Sequence, residues 1–154
     1  MGDSNLSRIL QYSNPDLQIE SYPGAQFRHI EAIVAKFKPT STVEKVILAA
    51  GLNNREQKPK ETAIKQMQKA LRMAKTTFPA AEIWIPIINY SKNLPKRIQD
   101  NVAIMNEHIR TNMPFLPPLP DSDFETEKDN IHWTAVIATA MLNHWTKKLN
   151  LTAH

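Results

Sequence analysis

The chain has 154 residues, 42% of them apolar and 22% charged, which suffices for one domain with its own core and excludes wholesale disorder. It contains no cysteine, so disulfides, a thiol nucleophile and thiolate metal sites are excluded. The net charge of +4 is a mild attraction to phosphate or anionic lipid; Lys58, Lys60, Lys65, Lys69, Arg72 and Lys75, spread among apolar positions, read first as a solvated helix face.

In chain order, Leu17–Tyr22 alternates apolar and polar residues, as a strand with one covered face does. Phe27, Ile30, Ile33, Val34 and Phe37 keep three-to-four spacing and predict a helix. Val46–Ala50 is a continuous apolar run ending at Gly51, the pattern of a strand buried on both faces. A second helical stripe, Ala63, Met67, Ala70, Leu71, Ala74 and Phe78, follows Pro59 and Thr62 at its start. Glu82–Asn89 is another apolar, β-branched run, with Pro86 placed at its end or at an irregularity.

Ile98, Val102, Met105, Ile109 and Met113 form a third stripe after Pro95. From Met113 to Lys128 proline and acid dominate, which predicts a rigid, irregular connection of a length that often carries function. Val136, Ala140, Met141 and Trp145 form the last stripe, with Thr134 as N-cap. The alternation predicts a three-layer α/β fold with a mostly parallel sheet, as a single domain over residues 1–154. Such a sheet needs a strand leading into the first loop. Only Met1 precedes Gly2-Asp3-Ser4, so that strand is expected to be missing or supplied upstream.

No apolar run approaches the roughly 18 residues of a membrane span. The opening residues carry no basic-then-apolar leader, which points to the cytoplasm. Asn5-Leu6-Ser7, Asn89-Tyr90-Ser91 and Asn150-Leu151-Thr152 are glycosylation sequons that matter only in a secreted protein.

The chain has only 3 glycines, where average usage would give about eleven, so each is expected to meet a backbone requirement. Gly24 and Gly51 directly follow expected strands, and Gly2 holds the corresponding place if a strand has been cut away. Ligands of open α/β sheets bind at the carboxyl ends of the strands. The three loops offer a hydroxyl at Ser4, small backbone-exposing residues at Gly24 and an amide at Asn53; Asp129-Asn130-Ile131-His132 closes the proline-rich segment. This set is complete for acyl transfer: a serine nucleophile, a histidine base, and an aspartate that fixes the imidazole tautomer and stabilises its cation. The N–H groups of Ser4 and Gly24 and the amide of Asn53 are candidate donors to an oxyanion.

Gly2-Asp3-Ser4, Gly24, Gly51-x-Asn53 and Asp129-x-x-His132 resemble, in order, the first, second, third and fifth blocks of the SGNH (GDSL-like) hydrolases. More narrowly, Gly-Asp-Ser-Asn-Leu-Ser-Arg-Ile, Ser-Tyr-Pro-Gly-Ala and Lys-Asp-Asn-Ile-His-Trp-Thr are similar to the esterase domain in the first open reading frame of CR1/L2-type LINE retrotransposons. The resemblance implies a flavodoxin-like α/β/α sandwich and a metal-free serine esterase, without cofactor, with a shallow, exposed site. On it Ser4 is the nucleophile, His132 the base and Asp129 its partner; Ser4 N–H, Gly24 N–H and Asn53 form the oxyanion hole. The implied substrate is a short-chain acyl or lipid ester, with contact to a membrane surface and with RNA left to other regions of a longer protein. Many relatives have aspartate where this chain has Asn54.

Plainer readings stand beside these. Asp129 serves as a turn cap, His132 as a packed histidine beside Trp133, and Asn53 and Asn54 as turn residues. His29, His108, His144 and His154 match no block and read as surface or edge histidines. A catalytically weak lipid- or RNA-associated binding module is the rival to the esterase.

Overall fold

The computed structural model describes residues 1–9, 17–38 and 42–150; His154 and the last two residues of the third sequon, Leu151 and Thr152, lie outside them. Strands β1 (Lys45–Ile47), β2 (Glu82–Pro86) and β3 (Phe115–Leu116) form a parallel sheet in that order. Helix α1 (Phe27–Lys36) precedes them, α2 (Ile64–Thr77) and α3 (Lys96–Asn112) lie between them, and α4 (Ala135–Lys148) follows.

The register pairs Val46 with Ile83 and Ile85 with Phe115. Because side chains alternate across a strand, successive residues feed two separate cores. Val46, Leu48, Ile83 and Ile85 join α1, α2 and α3 in one cluster. Ile47, Ala49 and Trp84 pack instead on the cluster that holds Leu116 and the apolar face of α4. Helices thus cover both faces, which is why the strand sequences lack a polar face. Phe27, Ile30 and Val34 of α1 are fully buried, and burial of such a side chain contributes roughly 1.5–3 kcal/mol.

Pro95 precedes α3, where its missing N–H costs nothing, and the Thr134 hydroxyl accepts from Ile137 N–H at 3.2 Å to open α4. A π-helical turn at Pro59–Ala63 leads into α2. Pro86 ends β2, the place open to a residue without an N–H.

Three expectations need correction. The Leu17–Tyr22 strand reduces to one parallel bridge, between Ser21 and Gly2. No strand precedes the first loop among the described residues, as expected; in its place Gly2 makes isolated bridges to both Ser21 and Ala49, donating to Glu20 O at 3.0 Å and accepting from Tyr22 N at 2.9 Å. On the other side Ala49 N donates to Met1 O at 2.8 Å. A Cβ on Gly2 would lie 2.2 Å from Ala49 O, so only glycine lets these backbones approach this closely. The Met113–Lys128 connection contains a strand, β3, because Pro114 O and Leu116 O accept from Ile85 and Ile87 along the free edge of β2. Val136 is 74% exposed, and α4 buries Ile137, Ala138, Met141, Leu142 and Trp145 instead.

Candidate active site

Ser4 follows Gly2 and Asp3 at the carboxyl end of the bridged segment and opens a 3-10 turn, Ser4–Arg8. Asp3 caps that turn, its Oδ1 accepting from Asn5 N–H at 3.0 Å. The other half of the site comes from a tight hairpin closed by the antiparallel bridge of Thr126 with Trp133 and by Glu127 N–H donating to His132 O at 2.8 Å. Asn130 sits at its tip with φ 61°, a left-handed conformation that asparagine tolerates. Its Oδ1 accepts from the Ser91 hydroxyl at 3.1 Å, tying the hairpin to the loop after β2.

Within the hairpin Asp129 Oδ1 accepts from the N–H groups of Ile131 and His132, both at 2.9 Å. Its Oδ2 lies 2.5 Å from His132 Nδ1. Across the gap between hairpin and N-terminal segment, His132 Nε2 lies 3.1 Å from Ser4 Oγ. Ser4, His132 and Asp129 are therefore connected in the order that general-base activation of a hydroxyl requires. The Asp129 side chain is 45% exposed and that of His132 32%, so the site is open to water.

The ring bond to His132, helped by the Ile131 N–H, holds the Asp129 carboxyl down to about 2. Asp3 behaves oppositely: burial pushes it up to about 6, against the pull of the Asn5 N–H and the nearby His132.

Gly51, at φ 113°, starts a 3-10 turn that carries Asn53 and Asn54. Asn53 Nδ2 donates to Ala25 O at 3.1 Å, using one of its two hydrogens and fixing the amide beside the Gly24 turn. Gly24 is exposed at φ 73°. The N–H groups of Ser4 and Gly24 have no backbone partner among the described residues.

Asn54, where many SGNH hydrolases have aspartate, is fully buried and uses both ends of its amide. Oδ1 accepts from Phe27 N–H at 3.1 Å, at the start of α1, while Nδ2 donates to Gln57 and Gln66 at 2.7 and 2.9 Å. A carboxylate would make the first bond but could donate neither of the others.

The other described histidines, His29, His108 and His144, stay apart from this group. His29 Nδ1 accepts from Gln26 N–H at 2.9 Å, and His144 Nε2 lies 3.0 Å from Pro117 O. His108 lies beside Gln68 and Asn112. Among the described residues no group of three His, Asp or Glu side chains could hold a metal ion, and no helix is long and apolar enough to cross a membrane.

Two of the sequon asparagines are buried and engaged in the fold. Asn89 exchanges two bonds with the Leu119 backbone, accepting at 3.0 Å and donating at 2.9 Å. Asn5 is 3% exposed, and its amide reaches the backbone on both sides of His132. No local sequence signal marks either pairing, because the partners lie 30 and 128 residues away.

No protein-family model matches the sequence, and no curated protein matches it. Solved structures do. A Streptococcus pneumonia protein provisionally described as a platelet activating factor aligns with TM-score 0.70 at 16% identity, over 96% of this chain and 81% of its own. A Clostridium thermocellum family 3 carbohydrate esterase aligns with TM-score 0.61 at 15% identity, over 86% of this chain and 69% of its own. A peptidoglycan O-acetylesterase aligns with TM-score 0.55 at 19% identity, over 84% and 45%. At these identities the likeness defines the fold alone: this chain has the three-layer α/β/α architecture of these solved structures.

Proposed function

We propose that the protein is a serine carboxylic ester hydrolase of the SGNH type. One observation carries the reading: Ser4 Oγ lies 3.1 Å from His132 Nε2, whose other ring nitrogen lies 2.5 Å from Asp129. Ser4 Oγ attacks the ester carbonyl carbon as its proton passes to His132 Nε2. Asp129, ionised across the ordinary pH range, holds Nδ1–H and stabilises the imidazolium. The N–H groups of Ser4 and Gly24 and the free hydrogen of the Asn53 amide are assigned to the oxyanion. His132 then protonates the departing alkoxide, leaving an acyl-Ser4 intermediate. Water gives its proton to His132, attacks the acyl carbon, and the proton returns to Ser4 as the acid leaves.

Short acyl groups, acetyl first and lipid esters second, are the proposed substrates. The names of the structural neighbours support acetyl, and the exposure of His132 and Asp129 suits a shallow site. The motif resemblance supports a place in the first-open-reading-frame protein of a CR1/L2-type retrotransposon, with a cytoplasmic setting and RNA bound elsewhere in that protein.

A second reading, a lipid- or RNA-associated module without useful turnover, is favoured by one feature. Lys65, Lys69, Arg72 and Lys75 are exposed along α2, which contains no acid. Hydrolysis of p-nitrophenyl acetate separates the two. Ser4→Ala, still folded by circular dichroism, is expected to lose on the order of 10⁴-fold or more in turnover. Wild-type protein should also be labelled at Ser4 by a fluorophosphonate. Equal hydrolysis by two folded proteins would remove Ser4 as nucleophile and favour the module.

A further inference from the structure

The Ser4–His132 contact joins two segments far apart in sequence, and a proton passes across it only if its geometry is held to a fraction of an ångström. Three interactions tie the segments together beside that contact. Leu6 packs in the cluster that includes Trp133, an apolar contact that brings the segments close without fixing their register. Arg8 Nη1 lies 2.6 Å from Glu127 Oε1, with side chains 35% and 42% exposed, so this tie is open to water and salt. The third is buried and directional. Asn5 Oδ1 accepts from Trp133 N–H at 2.9 Å, and Asn5 Nδ2 donates to Ile131 O at 3.4 Å, a long bond and the weaker of the two.

We infer that Asn5 is a positioning residue: its buried amide grips the main chain on both sides of His132 and thereby sets the distance from the imidazole to the neighbouring Ser4. The inference rests on the esterase reading and adds a residue to its machinery. Asn5 directly follows Ser4 in the chain, while Ile131 and Trp133 directly flank His132. One amide therefore couples the two backbones that carry the reacting side chains, at one residue's remove from each. Its own backbone is fixed in turn, since Asn5 N–H donates to Asp3 Oδ1. An amide suits the task because it presents an acceptor to an N–H and a donor to a carbonyl at once. A serine is too short to span both, and a carboxylate has no donor.

The test uses two substitutions. Asn5→Leu keeps the approximate volume and removes both bonds. It should leave KM within about twofold and lower kcat on the order of 10²-fold, the loss typical of about 1 Å of misplacement. Labelling of Ser4 by a fluorophosphonate should slow by a similar factor. Asn5→Asp keeps the shape and makes the amide's function depend on protonation. The neutral acid accepts from Trp133 N–H and donates to Ile131 O; the ionised form donates nothing and faces that carbonyl with a charge. The titratable groups around it are Asp3, His132 and, beyond the ring, Asp129. Burial and the Asp3 carboxylate both favour the neutral form. Dividing the variant's kcat by that of wild type at each pH removes the titrations the two proteins share and leaves those of the new carboxyl and the Asp3 group coupled to it. The ratio should rise at least tenfold as pH falls from 8 to 5, in protein verified as folded at each pH.

A folded Asn5→Leu protein with kcat within threefold of wild type overturns the inference, and so does a flat ratio for folded Asn5→Asp. Unfolding of both variants makes Asn5 a folding residue and overturns it as well. Ser4→Ala in the same assay keeps the two readings apart. If it retains activity, the esterase reading fails; if it is inactive while the Asn5 variants match wild type, only the role of Asn5 fails.

Discussion

Asp3 and Asp129 flank the Ser4–His132 pair from opposite sides and are held in opposite ways. Asp129 stands on an exposed hairpin, accepts two backbone N–H groups and faces the imidazole, so its charge is favoured and its carboxyl is held down to about 2. Asp3, directly before Ser4 in the chain, is 6% exposed with Asn5 N–H as its donor, and burial lifts it from its ordinary 3.8 to about 6. One carboxylate is stabilised by bonds and the other is penalised by desolvation. The contrast teaches how the two acids are held: the hairpin keeps a carboxylate charged beside the imidazole, and the N-terminal segment carries an acid whose ionisation costs stability.

The strongest way to break the comparison is Asp129→Asn. Its amide oxygen can still accept from Ile131 and His132, so the hairpin should stay folded, but the NH₂ end would face His132 Nδ1. That favours the tautomer with the proton on Nε2, which donates to Ser4 instead of receiving from it. A buried triad loses about 10⁴-fold in kcat from this change. Here water reaches the pair, and we expect a loss of about 10²–10⁴-fold with KM little altered. A loss below tenfold would mean that Asp129 serves the turn alone. The sign of the stability effect follows from the lowered carboxyl: wild-type stabilisation from Asp129 is full above pH 4 and is lost as pH falls toward 2.

Asp3→Asn should act in the reverse sense and less on catalysis. With the folded carboxyl at about 6 and the ordinary value at 3.8, the native state binds the proton more tightly than the unfolded chain. Stability therefore falls as pH rises between those values, and the ionised carboxylate costs about 3 kcal/mol above pH 7. The neutral amide keeps an acceptor for Asn5 N–H and avoids that cost. Thermal unfolding should show Asp3→Asn more stable by about 5–10 °C at pH 8, with the gain shrinking to a few degrees at pH 4.5. The amide keeps the cap on the turn that carries Ser4, so a fall in kcat of no more than about tenfold should accompany the gain. A stability difference independent of pH would show that desolvation is not what lifts Asp3.

What the sequence reveals follows the range over which each signal acts. The helices are legible because their apolar spacing and caps are local: Phe27, Ile30 and Val34, or Thr134 before α4, need no distant partner to be recognised. The motif residues Ser4, Asp129 and His132 are legible as blocks, and the structure brings these three within hydrogen-bonding distance in sequence. The alternation over Leu17–Tyr22 suggests a longer strand than the single pairing that Gly2 provides. β3 is hidden because two residues between Pro114 and Pro117 have no periodicity; the edge of β2 creates it. On α4 the stripe drawn through Val136 is rotated from the face that packs, an error of one position that only the neighbouring layer reveals. Asn5 is the furthest from view, since in sequence it is only the first residue of a sequon.

The smallest expected effect concerns the exposed tie between the same two segments. Arg8 and Glu127 meet at 2.6 Å, closer than either bond of the Asn5 amide, yet distance alone does not rank them. Both ionic side chains are more than a third exposed, so water screens the pair and ordering two long side chains offsets much of the attraction. Arg8→Ala should therefore lower the unfolding temperature by about 1–3 °C and change kcat less than threefold. The remaining difference should vanish in 1 M salt, where the screening length falls to about 3 Å. A loss of turnover comparable to that of Asn5→Leu would invert the ranking, making the salt bridge at the rim, rather than the buried amide, the element that holds His132 against Ser4.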